Sequence, residues 1–197
     1  MPAEVARRPG RPSTGARERI LEAGLEVLKA DGYAGLTTAK VAARSGQNKA
    51  LIAYHFGSKQ GLVAAVAREV AESITEEVLS GLGDAEAPEA VVRGVLDGLW
   101  RVMDRDERIA RLYFDLAAVS VVERDVRTVM RDMRSLWRDT LIELVSAGEG
   151  AVIFAMAALD GLALERLERG EGPALDEAKE LFVRSAVAAL REPARTP

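Results

Sequence analysis

Between Leu36 and Val63 the chain reads LTTAKVAARSGQNKALIAYHFGSKQGLV, and this segment constrains the fold more than any other. Apolar residues recur at helical spacing in two short runs, each opened by a capping side chain and closed by a glycine. Thr37 or Thr38 opens the first run, Val41, Ala42 and Ala43 face inward along it, and Gly46 ends it. Asn48 opens the second, whose apolar residues are Leu51, Ile52 and Phe56. Ser58 then opens a longer helix reaching about Leu79. A helix, a tight turn and a second short helix carrying Lys and Tyr form the arrangement that presents side chains to the major groove of DNA.

The rest of the chain is also helical: Ala, Leu, Glu and Arg dominate, and no stretch alternates with period two. A first helix from Ser13 or Thr14 places Ile20, Leu21, Gly24, Leu25 and Leu28 on one face and stops near Gly32. After the break at Gly81-Leu82-Gly83-Asp84, helices are predicted at about Pro88–Met103, Glu107–Val121, Glu123–Ser146, Ala151–Arg169 and Leu175–Leu190. The fold class is therefore all-α with about nine helices. A disordered basic arm over 1–13 leads to a three-helix head over 14–60, then a larger helical body over 61–192.

Charge is divided the same way. Net charge is −4, yet residues 1–60 hold 10 Lys/Arg against 5 Asp/Glu, while residues 61–197 hold 17 against 26. A basic head on an acidic body suits contact with phosphates, because counterion release depends on local charge. Four of the five lysines, Lys29, Lys40, Lys49 and Lys59, lie in the head. With no Cys there is no disulfide framework, thiolate metal site or cysteine nucleophile. His55 is the only histidine and builds neither a metal site nor a Ser/His/Asp arrangement. No Gly-rich phosphate loop follows a strand. An enzyme is not expected, nor any cofactor or metal. The start has no apolar signal core, and the longest apolar run, Ala151 to Leu159, falls short of the roughly 20 residues a spanning helix needs. The chain reads as soluble, cytoplasmic and nucleoid-associated, without a membrane partner.

Ile20 through Val63 resembles the DNA-binding domain of the TetR family of transcriptional regulators. The resemblance rests on the Gly32-Tyr33 corner, Leu36-Thr37-Thr38, Val41-Ala42, Gly46 and above all Tyr54-His55-Phe56-Gly57-Ser58-Lys59 followed by Leu62-Val63. Beyond about residue 65 it rests on helix count and on Asp160-Gly161-Leu162, where the body is most similar to the BetI-like subgroup. It implies a homodimer whose two heads bind a palindromic operator, and a body whose ligand shifts the fourth helix and so the separation of the heads.

By that resemblance Lys49, Ala50, Leu51 and Ala53 face the groove, with Lys49 the one strong donor to a base edge. Thr38, Tyr54, His55 and Lys59 are assigned to phosphates, and Phe56 to the core. The arm Arg7-Arg8-Pro9-Gly10-Arg11-Pro12 resembles an AT-hook with one arginine missing, so Arg11 is either a minor-groove contact or part of a charged tail. The family often carries an acidic residue three positions after the serine that starts the fourth helix. Gly61 stands there and cannot complete a capping box, which predicts a loose helix start that Gly61→Glu would stiffen.

In the body, Leu96, Trp100, Met103, Leu112, Tyr113, Phe114, Met130, Met133 and Trp137 fall on the three helices that, by resemblance, wrap an effector cavity. Each taken alone belongs more naturally to an ordinary core than to a ligand wall, and the expectation is for the group. Asp97, Asp104 and Asp115 interrupt these helices, as solvated charges or as one ligand-orienting group. Ala151, Ala155, Ala158, Leu159, Leu162, Leu181, Ser185 and Ala189 form a small and apolar surface assigned to the dimer interface. Asp160 inside that run is expected to make a structural hydrogen bond. The expected function is a ligand-responsive, DNA-binding repressor released from its operator by a small apolar or aromatic effector. The rival is a small-molecule-binding helical dimer acting as an activator or without a DNA role. Nothing in the sequence names the effector, the operator or the regulated genes.

Overall fold

Capping side chains fix the front of the molecule. In the computed structural model, which describes residues 14–83, 85 and 87–191, α1 runs Thr14–Gly35, α2 Thr38–Ser45, α3 Lys49–Phe56 and α4 Lys59–Ser80. Thr37 Oγ1 accepts from the Lys40 N–H at 3.2 Å, Asn48 Oδ1 from the Leu51 N–H at 2.9 Å, and Ser58 Oγ from the Gly61 N–H at 3.0 Å. Each supplies an acceptor to a donor that the first turn leaves unpaired. Gly46 ends α2 in the left-handed conformation. The arm over 1–13, with Ser13 and Arg11, lies outside the described residues. Val41 is fully buried and Ala42 half-buried, but Ala43, expected to face inward, is exposed. Two positions on from Val41 the helix has turned by about 200°, away from α1.

The body follows as α5 Pro88–Arg105, α6 Glu107–Ser120, α7 Arg124–Val145, α8 Glu149–Arg169 and α9 Pro173–Arg191. Among the described residues these nine helices occur without a strand, and none of them is long and apolar enough to cross a membrane. Ile20, Leu36, Val41 and Ile52 of the head share one core with Leu62, Val63 and Val66 of α4. The same core continues through Val70 and Ile74 to Leu112 and Leu116 of α6 and Val126 and Met130 of α7. A boundary between residues 60 and 61 therefore falls in the first turn of a helix packed at both ends. A second core joins Val92 and Leu96 of α5, Val152 of α8 and Phe182, Val183, Ala186 and Leu190 of α9.

Candidate nucleic-acid interface and ligand cavity

α3 is two turns long and buries one side. Ile52 is fully buried and Leu51 and Phe56 pack half-buried against the head core. That leaves Lys49, Ala50, Ala53 and Tyr54 exposed as one strip. Tyr54 is 69% exposed, which rules out a packing role. Lys29 pairs with Asp106, Lys40 with Asp31 at 2.9 Å, and Lys59 Nζ donates to the Tyr33 carbonyl at 3.3 Å while lying 4.6 Å from the centre of the Tyr33 ring. Among the described residues Lys49 is the one head lysine with no intramolecular partner, so its charge is free for a ligand.

The other residues assigned to DNA are placed differently. Thr38 is half-buried at the start of α2. Lys59 is committed to Tyr33. His55 is half-buried between the rings of Tyr54 and Phe56, and its Nε2 is enclosed without a hydrogen-bond partner among the described residues, so that nitrogen is closed to a phosphate. Arg17, which the sequence did not single out, holds its guanidinium 5.6 Å from the centre of the Phe56 ring, at the end of α3. Arg44 is exposed and only loosely paired, 3.7 Å from Glu26. Both belong to the basic head, which was the only signal for them.

Gly61 is not a missing cap but a close approach. A Cβ at this position would lie 2.0 Å from the Phe56 carbonyl oxygen. The α3–α4 corner is thus tight, and the expectation that Gly61→Glu stiffens it is overturned: any side chain pushes the two helices apart.

The head is tied to the body by contacts far apart in sequence. Gly32 breaks α1 with φ of 66°, a conformation that favours glycine. The break turns the Tyr33 N–H toward Asp115 of α6, to which it donates at 2.7 Å. The Tyr33 hydroxyl donates to Glu123 at 2.7 Å, and its pKa is pushed up to about 12, first by burial and then by that carboxylate. Asp115, read from sequence as a solvated charge or a ligand group, is a joint between head and body. Lys29 Nζ meets Asp106 at 3.1 Å. Asp106 also caps α6 and takes the Arg108 guanidinium at 2.8 Å.

That guanidinium, then Lys29, holds the Asp106 carboxyl at about 2, below its ordinary 3.8. A carboxyl depressed in the folded state stabilises it fully above the unfolded value, and the contribution fades as pH falls from 3.8 toward 2. Asn caps a helix as well as Asp, so Asp106→Asn removes only the charge. It is expected to cost about 0.5–1 kcal/mol at pH 7, and the cost should shrink in melts at pH 2–3. A cost independent of pH would count against this pairing.

In the body a cavity opens between α4, α5, α6, α7 and α8. Its wall is apolar except for Tyr113, Thr140 and Asp160. Tyr113, Phe114 and Trp137 form an aromatic group: Tyr113 stacks on Trp137 at 6.3 Å and meets the edge of Phe114 at 5.2 Å. Trp137 Nε1 donates to Thr75 Oγ1 at 2.6 Å. Arg134 donates to Asp160 Oδ2 at 2.8 Å and to the Tyr113 hydroxyl, which in turn reaches Asp160 Oδ1 at 3.4 Å. Burial pushes the Tyr113 hydroxyl pKa up, so it stays a neutral donor.

Of the nine residues assigned to the cavity, the structure brings Tyr113, Phe114 and Trp137 together. On α5 the lining residues are Val95, Leu99 and Val102, each one position before Leu96, Trp100 and Met103. One position rotates a helical side chain by about 100°. Leu96 thus enters the second core and Met103 packs with Ala110 and Ala163. Trp100 packs half-buried against the second core, away from the cavity, and donates to Glu171 at 2.8 Å beside Arg166 and Lys179. Leu112, Met130 and Met133 are in the first core. α8 supplies further lining: Leu159, which the sequence reading gave to the dimer interface, Asp160, given a structural hydrogen bond, and Met156 and Ala163, which it did not single out.

The residues assigned to dimer contact divide by exposure. Ala151, Ala155, Ala158, Leu159 and Leu162 are half-buried against the second core. The outward face of α8 is instead Ile153, Phe154, Ala157, Gly161 and Leu164. On α9, Leu181 and Ser185 are exposed and Ala189 is half-buried.

Known proteins bear on both parts. A family model described as bacterial regulatory proteins, tetR family, matches residues 20–66. The HTH-type transcriptional regulator BetI 1 of Chromohalobacter salexigens is 27% identical over 124 residues, 58% of this chain and 57% of that protein. The HTH-type transcriptional repressor AcnR of Corynebacterium glutamicum is 35% identical over 88 residues, 45% of this chain and 44% of its own. The chain thus spans about half the length of the curated relatives it matches, and the similarity to BetI runs past the head into the body. The solved structure of the multidrug binding protein EbrR with imidazole has the same fold, with a TM-score of 0.77 at 22% identity over 98% of this chain and 100% of that one. Residues 20–66 thus match the helix-turn-helix head of the tetR family of bacterial regulatory proteins.

Proposed function

We propose that this protein is a ligand-responsive repressor that binds a palindromic operator as a homodimer and leaves it when a small apolar or aromatic molecule enters the body cavity. The observation that carries the reading is the exposed strip of α3, where Lys49 and Tyr54 project with no competing partner among the described residues. Lys49 supplies a donor to a guanine edge. Tyr54, Arg17 and Arg44 supply phosphate contacts, which position without reading sequence. The strip is chemically sparse, with Ala50 and Ala53 offering only apolar contact, so operator shape shares in specificity.

The second copy is assigned to the outward faces of α8 and α9. Ile153, Phe154 and Leu181 are each 49% exposed and Leu164 42%, although they are large and apolar. Large apolar side chains left open in this way are the kind that an isologous contact covers. Two heads on successive major grooves place half-sites about 34–36 Å apart.

The cavity is the effector site on this reading, and its size sets the mechanism. The free space at its centre is about 60 Å³, room for only a few waters. A ligand of one or more rings fits by spreading the lining helices. One of these is α4, whose other end lies in the head core. The test is a gel shift with the DNA upstream of the gene, repeated across a panel of apolar and aromatic compounds. Retarded DNA that a subset of compounds releases is the expected result; no retardation at low salt contradicts it.

A further inference from the structure

We propose that the cavity selects an apolar organic cation, and that Arg134 is the internal cation such a ligand displaces from Asp160. The inference rests on reading the cavity as the effector site. Asp160 is the one charged side chain in the cavity wall, and no Lys, Arg or His lines it among the described residues. Arg134 reaches Asp160 from outside that wall with a half-exposed side chain. It engages Oδ2, whereas Oδ1 has the long 3.4 Å contact with the Tyr113 hydroxyl as its partner among the described residues. Asp160, a lining residue, therefore keeps acceptor capacity to spare at Oδ1.

The surrounding groups favour the same sign of charge. Tyr113, Phe114 and Trp137 turn aromatic groups to the space beside Asp160, and aromatic faces attract cations. Thr75, which holds the Trp137 indole, also lines a surface groove with Glu72, Glu76 and Asp132, the last paired with Arg131 at 2.9 Å, against one basic lining residue, Arg68. That acidic groove raises the local concentration of cations on the outer side of the aromatic wall. An anionic ligand meets none of this: its nearest positive charge, Arg134, is already engaged by Asp160 and the Tyr113 hydroxyl. Because Arg134 is half-exposed, it can turn to solvent when a ligand cation takes its place. The α7–α8 link between Arg134 and Asp160 is then lost, in the helices that must spread.

The test compares phenyltrimethylammonium with its neutral isostere tert-butylbenzene and with benzenesulfonate, by calorimetry on the full chain. Asp160→Asn should weaken the cation about tenfold or more, because a buried charge loses its counter-charge, and leave the neutral isostere unchanged. Arg134→Gln should tighten the cation about threefold, by removing a partly exposed competitor, again without effect on the isostere. Benzenesulfonate should bind most weakly. Equal effects of Asp160→Asn on cation and isostere, no effect on the cation, or a preference for benzenesulfonate would each overturn the proposal. Val95→Trp, which fills the cavity, separates the two readings. If it abolishes binding of the isostere but no charge preference exists, the cavity is the effector site and the cation proposal is wrong. If no probe binds, or binding survives Val95→Trp, the cavity reading fails and takes this proposal with it.

Discussion

Replacing Gly61 with alanine is expected to lower the melting temperature by about 2–8 °C and to abolish DNA binding before the body unfolds. Two effects oppose each other. Alanine in place of a helical glycine gains up to about 1 kcal/mol of helix propensity. Against it stands a Cβ 2.0 Å from the Phe56 carbonyl oxygen, an atom of the backbone that no rotamer change can move aside. Relieving such an overlap costs about 2–3 kcal/mol, and for a chain of this size each kcal/mol is worth about 2–4 °C. The clash therefore wins. Its effect is concentrated where α3 turns into α4, so α3 is displaced from the face that carries Lys49 and Tyr54. Gly61→Glu should be at least as damaging. A variant that melts higher than the unmodified protein would mean that the corner is looser than described. Circular dichroism melts and a gel shift at one temperature suffice to read the result.

The second large effect is expected at the other end of the molecule. Phe154→Arg combined with Leu181→Arg should convert a dimer to a monomer in size-exclusion chromatography with light scattering. Both side chains are half-exposed, so the fold of the single chain should survive. Operator affinity should nonetheless fall by about 10²-fold or more, because two linked heads bind with an avidity that one head lacks. A double variant that remains dimeric would move the interface elsewhere; an unmodified protein that is monomeric at micromolar concentration would remove it altogether.

These two sites also mark what the sequence made legible. Local chemistry was readable: Thr37, Asn48, Ser58 and Gly46 announce the head because each cap is decided within four residues. Phase in the body was not. On α5, apolar residues occur in adjacent pairs, Val95-Leu96 and Val102-Met103, with Leu99 beside Trp100. Both faces are then apolar, and only the neighbouring helices decide which one meets the cavity. α8 is apolar around much of its circumference, so the same ambiguity moved its inner residues to the outside. Contacts between distant segments left no trace in either pattern. Asp115 and Glu123 find Tyr33 across 82 and 90 residues, and no periodicity records that. At Gly61 the sequence displayed an absent carboxylate, while the reason for glycine, the approach of the Phe56 carbonyl, exists only in three dimensions.

On the proposed function, the exposed strip of α3 grips DNA while the cavity in the body decides when. Equilibrium binding of the upstream DNA, followed by fluorescence anisotropy across a salt series, tests it most directly with Lys49→Ala and Tyr54→Ala. Lys49→Ala should cost about 1–3 kcal/mol and relax preference for the operator over unrelated DNA. Tyr54→Ala should weaken both DNAs alike, and the unmodified protein should lose affinity steeply with salt. Operator affinity and salt slope left unchanged in both variants would contradict the account.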